Sequence, residues 1–71
     1  MKFELSQQVM EDLTQTVQAT FNSKGIINVS AIAEEIRSRN ESENVALEDI
    51  MAQVLAHAQL LSASMEFDGQ R

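Results

Sequence analysis

The stretch from Ile50 to Met65, IMAQVLAHAQLLSASM, decides the fold, because it runs sixteen residues without an Asp, Glu, Lys or Arg. Apolar residues recur in and just before it at alternating steps of four and three, the spacing that keeps a stripe on one face of a helix. The stripe consists of Leu47, Met51, Val54, Ala58, Leu61 and Met65. We therefore predict a third helix over about 45–65, followed by a frayed tail at 66–71.

The opposite side of this helix is also apolar. At roughly 100° per residue, the residues that gather there are Ala52, Ala56, Leu60, Ala63 and Phe67. A lone surface helix carries charge on that side, yet Gln53 and Gln59 are the most polar members here between Asp49 and Glu66. Small alanines allow a second helix to approach closely. We therefore predict a homodimer with a two-fold axis between its two copies. Its interface is predicted to include the five apolar residues of this side, Ala52, Ala56, Leu60, Ala63 and Phe67.

The first helix is predicted over about 6–23. Ser6 is a suitable N-cap, and Gly25 can supply the left-handed residue that ends the helix. The apolar residues between them follow one stripe, namely Val9, Met10, Leu13, Val17 and Phe21. One face of this helix is therefore predicted to be buried.

The second helix is predicted over about 28–39, with Asn28 as its N-cap. The apolar residues match the i, i+3, i+4, i+7 template, namely Val29, Ile32, Ala33 and Ile36. The polar stretch NESEN at 40–44 is a connecting loop, and its last residue, Asn44, is placed to cap helix three. Residues 25–29, GIINV, offer an alternative, a short strand that pairs with the alternating N-terminal residues 1–5.

The pattern as a whole predicts an all-α fold, a three-helix bundle in a single domain, 1–71, completed by homodimerisation. A chain of 71 residues has a marginal core, and with no Cys and one His it can build neither a disulfide framework nor a Cys/His zinc site. Self-association is the remaining source of stability. The predicted core comprises Val9, Leu13, Val17, Phe21, Val29, Ile32, Ile36, Leu47, Ile50, Met51, Val54, Leu55 and Leu61.

Charge and composition narrow the classes of partner. Eleven acidic and five basic residues give a net charge of −6, which opposes binding to phosphate backbones and anionic lipids. No apolar run reaches the length of a membrane span. The absence of Cys and of a signal-peptide core in MKFELSQQ favours the cytoplasm. We expect protein partners, and we expect no membrane and no nucleic acid.

Catalytic and metal-binding groups are scarce. His57 is the one evident acid or base candidate, and its helical neighbours at 53, 54, 60 and 61 include no carboxylate to orient it. The loop beginning at Asn40 has polar residues at alternate positions, but Val45 and Met51 occupy the places where a calcium loop needs Gly and Glu. We expect no enzyme activity, no metal and no cofactor. A pH-dependent role of His57 at an interface stays open.

The segment NVSAIAEEIRSRN, at 28–40, resembles the first helix of a helix-turn-helix unit, with an apolar pair at Ile32 and Ala33 after a capping residue. The resemblance implies a nucleic-acid-binding regulator, in which Arg37 and Arg39 are the candidate contacts to nucleic acid. The chain departs from that pattern after the segment, because NESEN replaces the short glycine turn and Glu48 and Asp49 open the next helix.

Two functional hypotheses follow. The first is a non-enzymatic, self-associating interaction protein that regulates another protein or acts as its adaptor. The alternative is a regulator of the helix-turn-helix type. The salt dependence of binding separates them, because contacts to phosphates weaken steeply with salt and an apolar interface does not.

Overall fold

The fold is a small all-α bundle of three helices with one short parallel strand pair. The computed structural model describes residues 5–66. In chain order the elements are α1 (Gln7–Lys24), β1 (Ile26–Asn28), α2 (Val29–Arg39), a single 3-10 turn (Glu41–Glu43), α3 (Leu47–Leu60) and β2 (Ser64–Glu66). The predicted all-α class is therefore confirmed, with a two-stranded sheet added to it.

Both ends of α1 are formed by the predicted residues. The Val9 N–H donates to Ser6 Oγ at 3.2 Å, which satisfies one of the amides that a helix start leaves open. At the other end Gly25 has φ 74°, in the left-handed region, and its N–H donates to the Phe21 carbonyl at 2.8 Å. A residue without a Cβ adopts this conformation at little cost, so Gly25 ends the helix as predicted.

The start of α2 also follows the prediction. Asn28 is the N-cap, and its Oδ1 accepts a hydrogen bond from the Ala31 N–H at 3.0 Å. The helix ends at Asn40, whose N–H donates to the carbonyls of Ile36 and Arg37. Asn40 therefore belongs to the end of the helix rather than to a free loop.

The beginning of α3 differs from the prediction. Asn44 does not cap this helix, because it takes a left-handed conformation with φ 55° and ends the preceding 3-10 turn, where its N–H donates to the Glu41 carbonyl. The N-cap is Ala46, which makes no side-chain capping bond. Its carbonyl accepts from Asp49 and Ile50, and this starts the helix at Leu47.

The predicted end of α3 near residue 65 is wrong, because the helix ends at Leu60. Ser62 has φ 57°, in the left-handed region. The Ser62 N–H donates to the Gln59 carbonyl at 3.1 Å, and the Ala63 N–H donates to the Ala58 carbonyl at 3.0 Å. These two bonds form a Schellman stop, which is usually built on glycine and here is built on serine.

The chain after this stop forms β2, which pairs with β1 in parallel. The register sets Ile26 opposite Ser64, Ile27 opposite Met65 and Asn28 opposite Glu66. The segment 25–29 thus contains a strand, but its partner here is β2. The alternative prediction paired this segment with a strand at 1–5, of which residues 1–4 lie outside the described residues. Of the tail predicted at 66–71, Glu66 lies in β2 and 67–71 lie outside the described residues.

The core lies where the three helices meet the strand pair. The buried apolar residues are Val9, Leu13, Val17, Ile27, Val29, Ile32, Ala33, Ile36, Ile50, Val54, Ala58 and Ala63. Four residues predicted in the core are half-buried against it, namely Phe21, Leu47, Met51 and Leu61. A fifth, Leu55, is also only half-buried. The predicted core left out four of the buried residues, namely Ile27, Ala33, Ala58 and Ala63. Ile27 and Ala63 are buried through the strand pair and its connection to α3.

Candidate functional site

The solvent side of α3 carries the one large exposed apolar side chain of the described part of the chain. Leu60 is 80% exposed. Ala52 and Ala56, which precede it at steps of four residues, are exposed as well. We call these three residues the outer face. Gln59 and Glu48 are exposed beside it, so within α3 the charged side chain next to the outer face is Glu48, at its N-terminal end.

Two residues predicted on the same surface do not form part of it as described. Ala63 is 8% exposed and lies in the core, because the helix has already ended at Leu60 and the chain has turned inward. Placing it on the surface was wrong, since the helical angle was extended past a left-handed residue. Phe67 lies outside the described residues.

His57 lies on α3, and its side chain contacts α1. It is half-buried, and its Nε2 is 3.3 Å from Thr14 Oγ1 in a hydrogen bond whose direction depends on the imidazole tautomer. Among the described residues this hydroxyl is the partner of the ring. Thr14 supplies a neutral hydroxyl and no carboxylate, so the pair joins two helices and lacks the orienting acid of a catalytic dyad.

A polar cluster joins the other side of α1 to the end of α2. The carboxylate of Asp12 accepts from Arg39 Nε at 3.1 Å and from Arg39 Nη2 at 2.6 Å. It also accepts from Thr16 Oγ1 at 3.1 Å and from Asn40 Nδ2 at 2.8 Å. Arg39 forms a further ion pair with Glu35 one turn earlier. The cluster fastens two helices through charge-assisted hydrogen bonds.

Asn40 is the buried member of this cluster, with 5% exposure. Its Nδ2 donates to Asp12 and to the Ile36 carbonyl, and its Oδ1 accepts from Gln8 Nε2 at 3.1 Å. A buried amide is costly unless it is paired in this way. No local sequence pattern indicates this role of Asn40, because its partners on α1 lie far from it along the chain.

The cluster perturbs the titration of its two charged members. The hydrogen bonds from Arg39 hold the pKa of the Asp12 carboxyl below its ordinary value against the opposing effect of burial, and Asn40 and Thr16 add to the lowering. The pKa of Arg39 is raised, chiefly by its hydrogen bond to Asp12. Both shifts show that the hydrogen bonds favour the charged forms, so Asp12 and Arg39 remain ionised at neutral pH.

The two arginines predicted to contact nucleic acid lie in different surroundings. Arg39 forms ion pairs with Asp12 and Glu35. Arg37 is exposed and lines a depression of about 440 Å³ between the end of α2 and the start of α3. Glu34 and Glu41 line the same depression. The structure therefore does not bring the two guanidinium groups together on a basic surface.

Other sites can be judged within residues 5–66. No group of three His, Asp or Glu side chains there is arranged to hold a metal ion. A second depression, of about 260 Å³, lies on α1 and is lined by Gln7, Met10, Glu11, Thr14 and Gln15. None of the helices in this part of the chain combines the length and apolar character needed to cross a bilayer.

Comparison of the chain with protein-family models, with curated proteins and with solved structures found no match.

Proposed function

We propose that the chain is a small, non-enzymatic interaction protein that self-associates through the outer face of α3 and regulates another protein or serves as its adaptor. The observation that carries the proposal is the exposure of Leu60. Its side chain is 80% exposed, on a helix whose opposite side already packs in the core. Removing such an exposed apolar side chain from water against a partner is favourable in proportion to the apolar area buried.

The energetics favour this face over the rest of the surface. Complete burial of a leucine side chain contributes roughly 1.5–3 kcal/mol, and a two-fold interface buries two of them. Ala52 and Ala56 are small, so a second helix can approach closely beside Leu60. A net charge of −6 makes most contacts between copies repulsive, but no ionised side chain of the outer face has to be desolvated.

Two observations weigh against the alternative, a nucleic-acid regulator of the helix-turn-helix type. Arg39 is held in ion pairs with Asp12 and Glu35, so its charge is already compensated. The first turn of α3 carries Glu48 and Asp49, which repel phosphate at the end that such a helix would insert into a groove. Binding to a DNA duplex that fades as salt rises would support the alternative.

The non-enzymatic part of the proposal is supported by the contact between His57 and Thr14, which supplies no charged partner for acid or base chemistry. A cytoplasmic setting is proposed because the chain has no Cys to be oxidised. His57→Ala is expected to leave any detected activity or metal content unchanged. Loss of either property in a folded variant would contradict this part of the proposal.

Sedimentation equilibrium tests the central claim. The wild-type chain is expected at twice its mass of 7.9 kDa at tens of micromolar, because the outer face is buried in the dimer. Leu60→Glu is expected to shift the equilibrium toward monomer, since it places a charge at the anchor. Ala31→Glu is the matched control, because Ala31 is exposed on a different helix, α2, and the same charge is added. A monomeric wild type would overturn the proposal.

A further inference from the structure

We propose that residues 61–66 are a two-state switch segment. In the closed state, which is the structure described above, this segment leaves α3 and pairs with β1 as β2. In the open state it leaves β1 and extends α3 by roughly one and a half turns. Three observations carry this inference, namely the backbone conformation of Ser62, the residue types of the segment and the shortness of the strand pair. None of them depends on the proposed self-association.

The first observation is the conformation of Ser62. It stops α3 at φ 57°, a region that a residue with a Cβ enters at a cost and that glycine enters freely. The Ser62 N–H donates to the Gln59 carbonyl, and the Ala63 N–H donates to the Ala58 carbonyl. In a continued helix the same two amides donate to the same two carbonyls in exchanged order, Ser62 to Ala58 and Ala63 to Gln59. Extension therefore removes the strain and loses neither hydrogen bond.

The second observation is the sequence of the switch segment, LSASME, which contains no Gly, Pro or β-branched residue. Leu, Ala, Met and Glu are good helix formers, and β2 lacks the aromatic and β-branched residues that favour strands. At roughly 100° per residue, an extended α3 sets Leu61 and Met65 on the face of Val54, which is buried. The local sequence thus favours a helix, and tertiary contacts impose the strand.

The third observation is how little holds the segment in the closed state. The pairing of β1 with β2 is three residues long and parallel, which is a weak arrangement for an isolated pair. Ala63 is 8% exposed, and Leu61 and Met65 are half-buried against the core. These contacts favour the closed state and oppose both the strain at Ser62 and the helical preference of the sequence. A single substitution at Ser62 is therefore enough to change the balance.

Opening changes two surfaces together. On an extended α3, Ala63 lies roughly 180° from Val54, on the side that carries Ala56 and Leu60. Ala63 therefore leaves the core and enlarges the outer face. Met65, which lies opposite Ile27 in the strand pair, leaves that position in the same step. The switch segment thus couples the strand pair to the extent of the outer face.

NMR relaxation dispersion tests the switch, because it detects minor states that exchange within microseconds to milliseconds. We expect residues 61–66 and 26–28 to exchange at one shared rate in the wild-type chain, with helical Cα shifts at 62–65 in the minor state. Ser62→Gly is expected to lower the minor population by about tenfold or more, because glycine removes the strain of the stop and disfavours the helix. Ser62→Ala is expected to raise it by about twofold, because alanine is the better helix former.

A disulfide across the strand pair is the control, since the chain has no Cys of its own. Ile26 lies opposite Ser64, and Cα atoms of paired strands are roughly 5 Å apart, within reach of a disulfide. In the double variant Ile26→Cys with Ser64→Cys, oxidation is expected to abolish the exchange and reduction to restore it. A helical minor state absent from both the wild type and Ser62→Ala would overturn the inference. Unstructured minor-state shifts, which indicate fraying of β2, or exchange that survives oxidation would overturn it as well.

Discussion

Asp12 and Arg39 meet in a two-pronged ion pair, with Arg39 Nε 3.1 Å from Oδ2 and Arg39 Nη2 2.6 Å from Oδ1 of the carboxylate. The guanidinium plane thus matches both carboxylate oxygens, the arrangement that gives such pairs their geometric specificity. The pair is partly open to solvent, with side-chain exposures of 42% for Arg39 and 22% for Asp12. It ties α1 to the end of α2 and covers the buried Asn40.

Asp12→Ala is expected to lower the free energy of unfolding by about 1–3 kcal/mol, because Asn40 Nδ2 and Arg39 lose a shared acceptor. Urea denaturation at neutral pH measures the change. Glu35→Ala is the matched control, since it removes an exposed partner of the same arginine and is expected to cost about 1 kcal/mol or less. Equal effects of the two substitutions would show that Asp12 acts as an ordinary surface charge.

Acid is expected to remove the contribution of Asp12. Its pKa in the folded chain is lowered below 3.8 by Arg39, so the stabilisation is fully present above about pH 4 and is lost as the pH falls through the folded value. The difference in unfolding free energy between the wild type and Asp12→Asn is therefore expected to shrink between neutral pH and about pH 2. A difference that stays constant over this range would contradict the assignment.

Gly25→Val is expected to destabilise the chain by on the order of 1 kcal/mol or more, because a β-branched residue resists φ 74°. A Cβ at this position would meet nothing within 4 Å, so the cost comes from the backbone conformation and not from a clash. Gly25→Asn is the comparison, since Asn tolerates the left-handed region better. Thermal unfolding decides the point, and a Val variant that melts with the wild type would refute it.

Ile27→Ala is expected to cost about 2–5 kcal/mol, the range for emptying a packed site, because Ile27 is completely buried in β1. Ile26→Ala, at the neighbouring half-buried position, removes the same atoms and is expected to cost clearly less. The two midpoints of urea denaturation provide the test. Equal losses would mean that the strand does not distinguish an inner from an outer face.

The first half of the fold could be predicted from sequence because its signals are local. Ser6, Gly25 and Asn28 act on amides and carbonyls within a few residues of themselves. The apolar spacing in α1 and α2 likewise identifies the buried faces of two helices. In the candidate site, Ala52, Ala56 and Leu60 point outward from α3 as their helical angles imply.

The remainder depends on contacts that no local pattern records. The helix stop after Leu60 is formed by Ser62 in the left-handed conformation, which is unfavourable for a residue with a Cβ. Because glycine is the usual residue at such a stop, the sequence carries no local signal for it. Ala63 was consequently placed on the wrong side of the molecule. The ion pair of Asp12 with Arg39 brings together two residues on different helices, and many other acid and base pairings were equally compatible with the sequence.

The parallel register of β1 and β2 constrains the order in which the chain folds. Ile26 reaches Ser64 only after both α2 and α3 have been traversed, so this pairing closes a long loop and must overcome the entropy of that closure. The helices can form from local contacts much earlier. We therefore expect the strand pair to be absent from the rate-limiting state, so that weakening it accelerates unfolding and leaves the refolding rate almost unchanged.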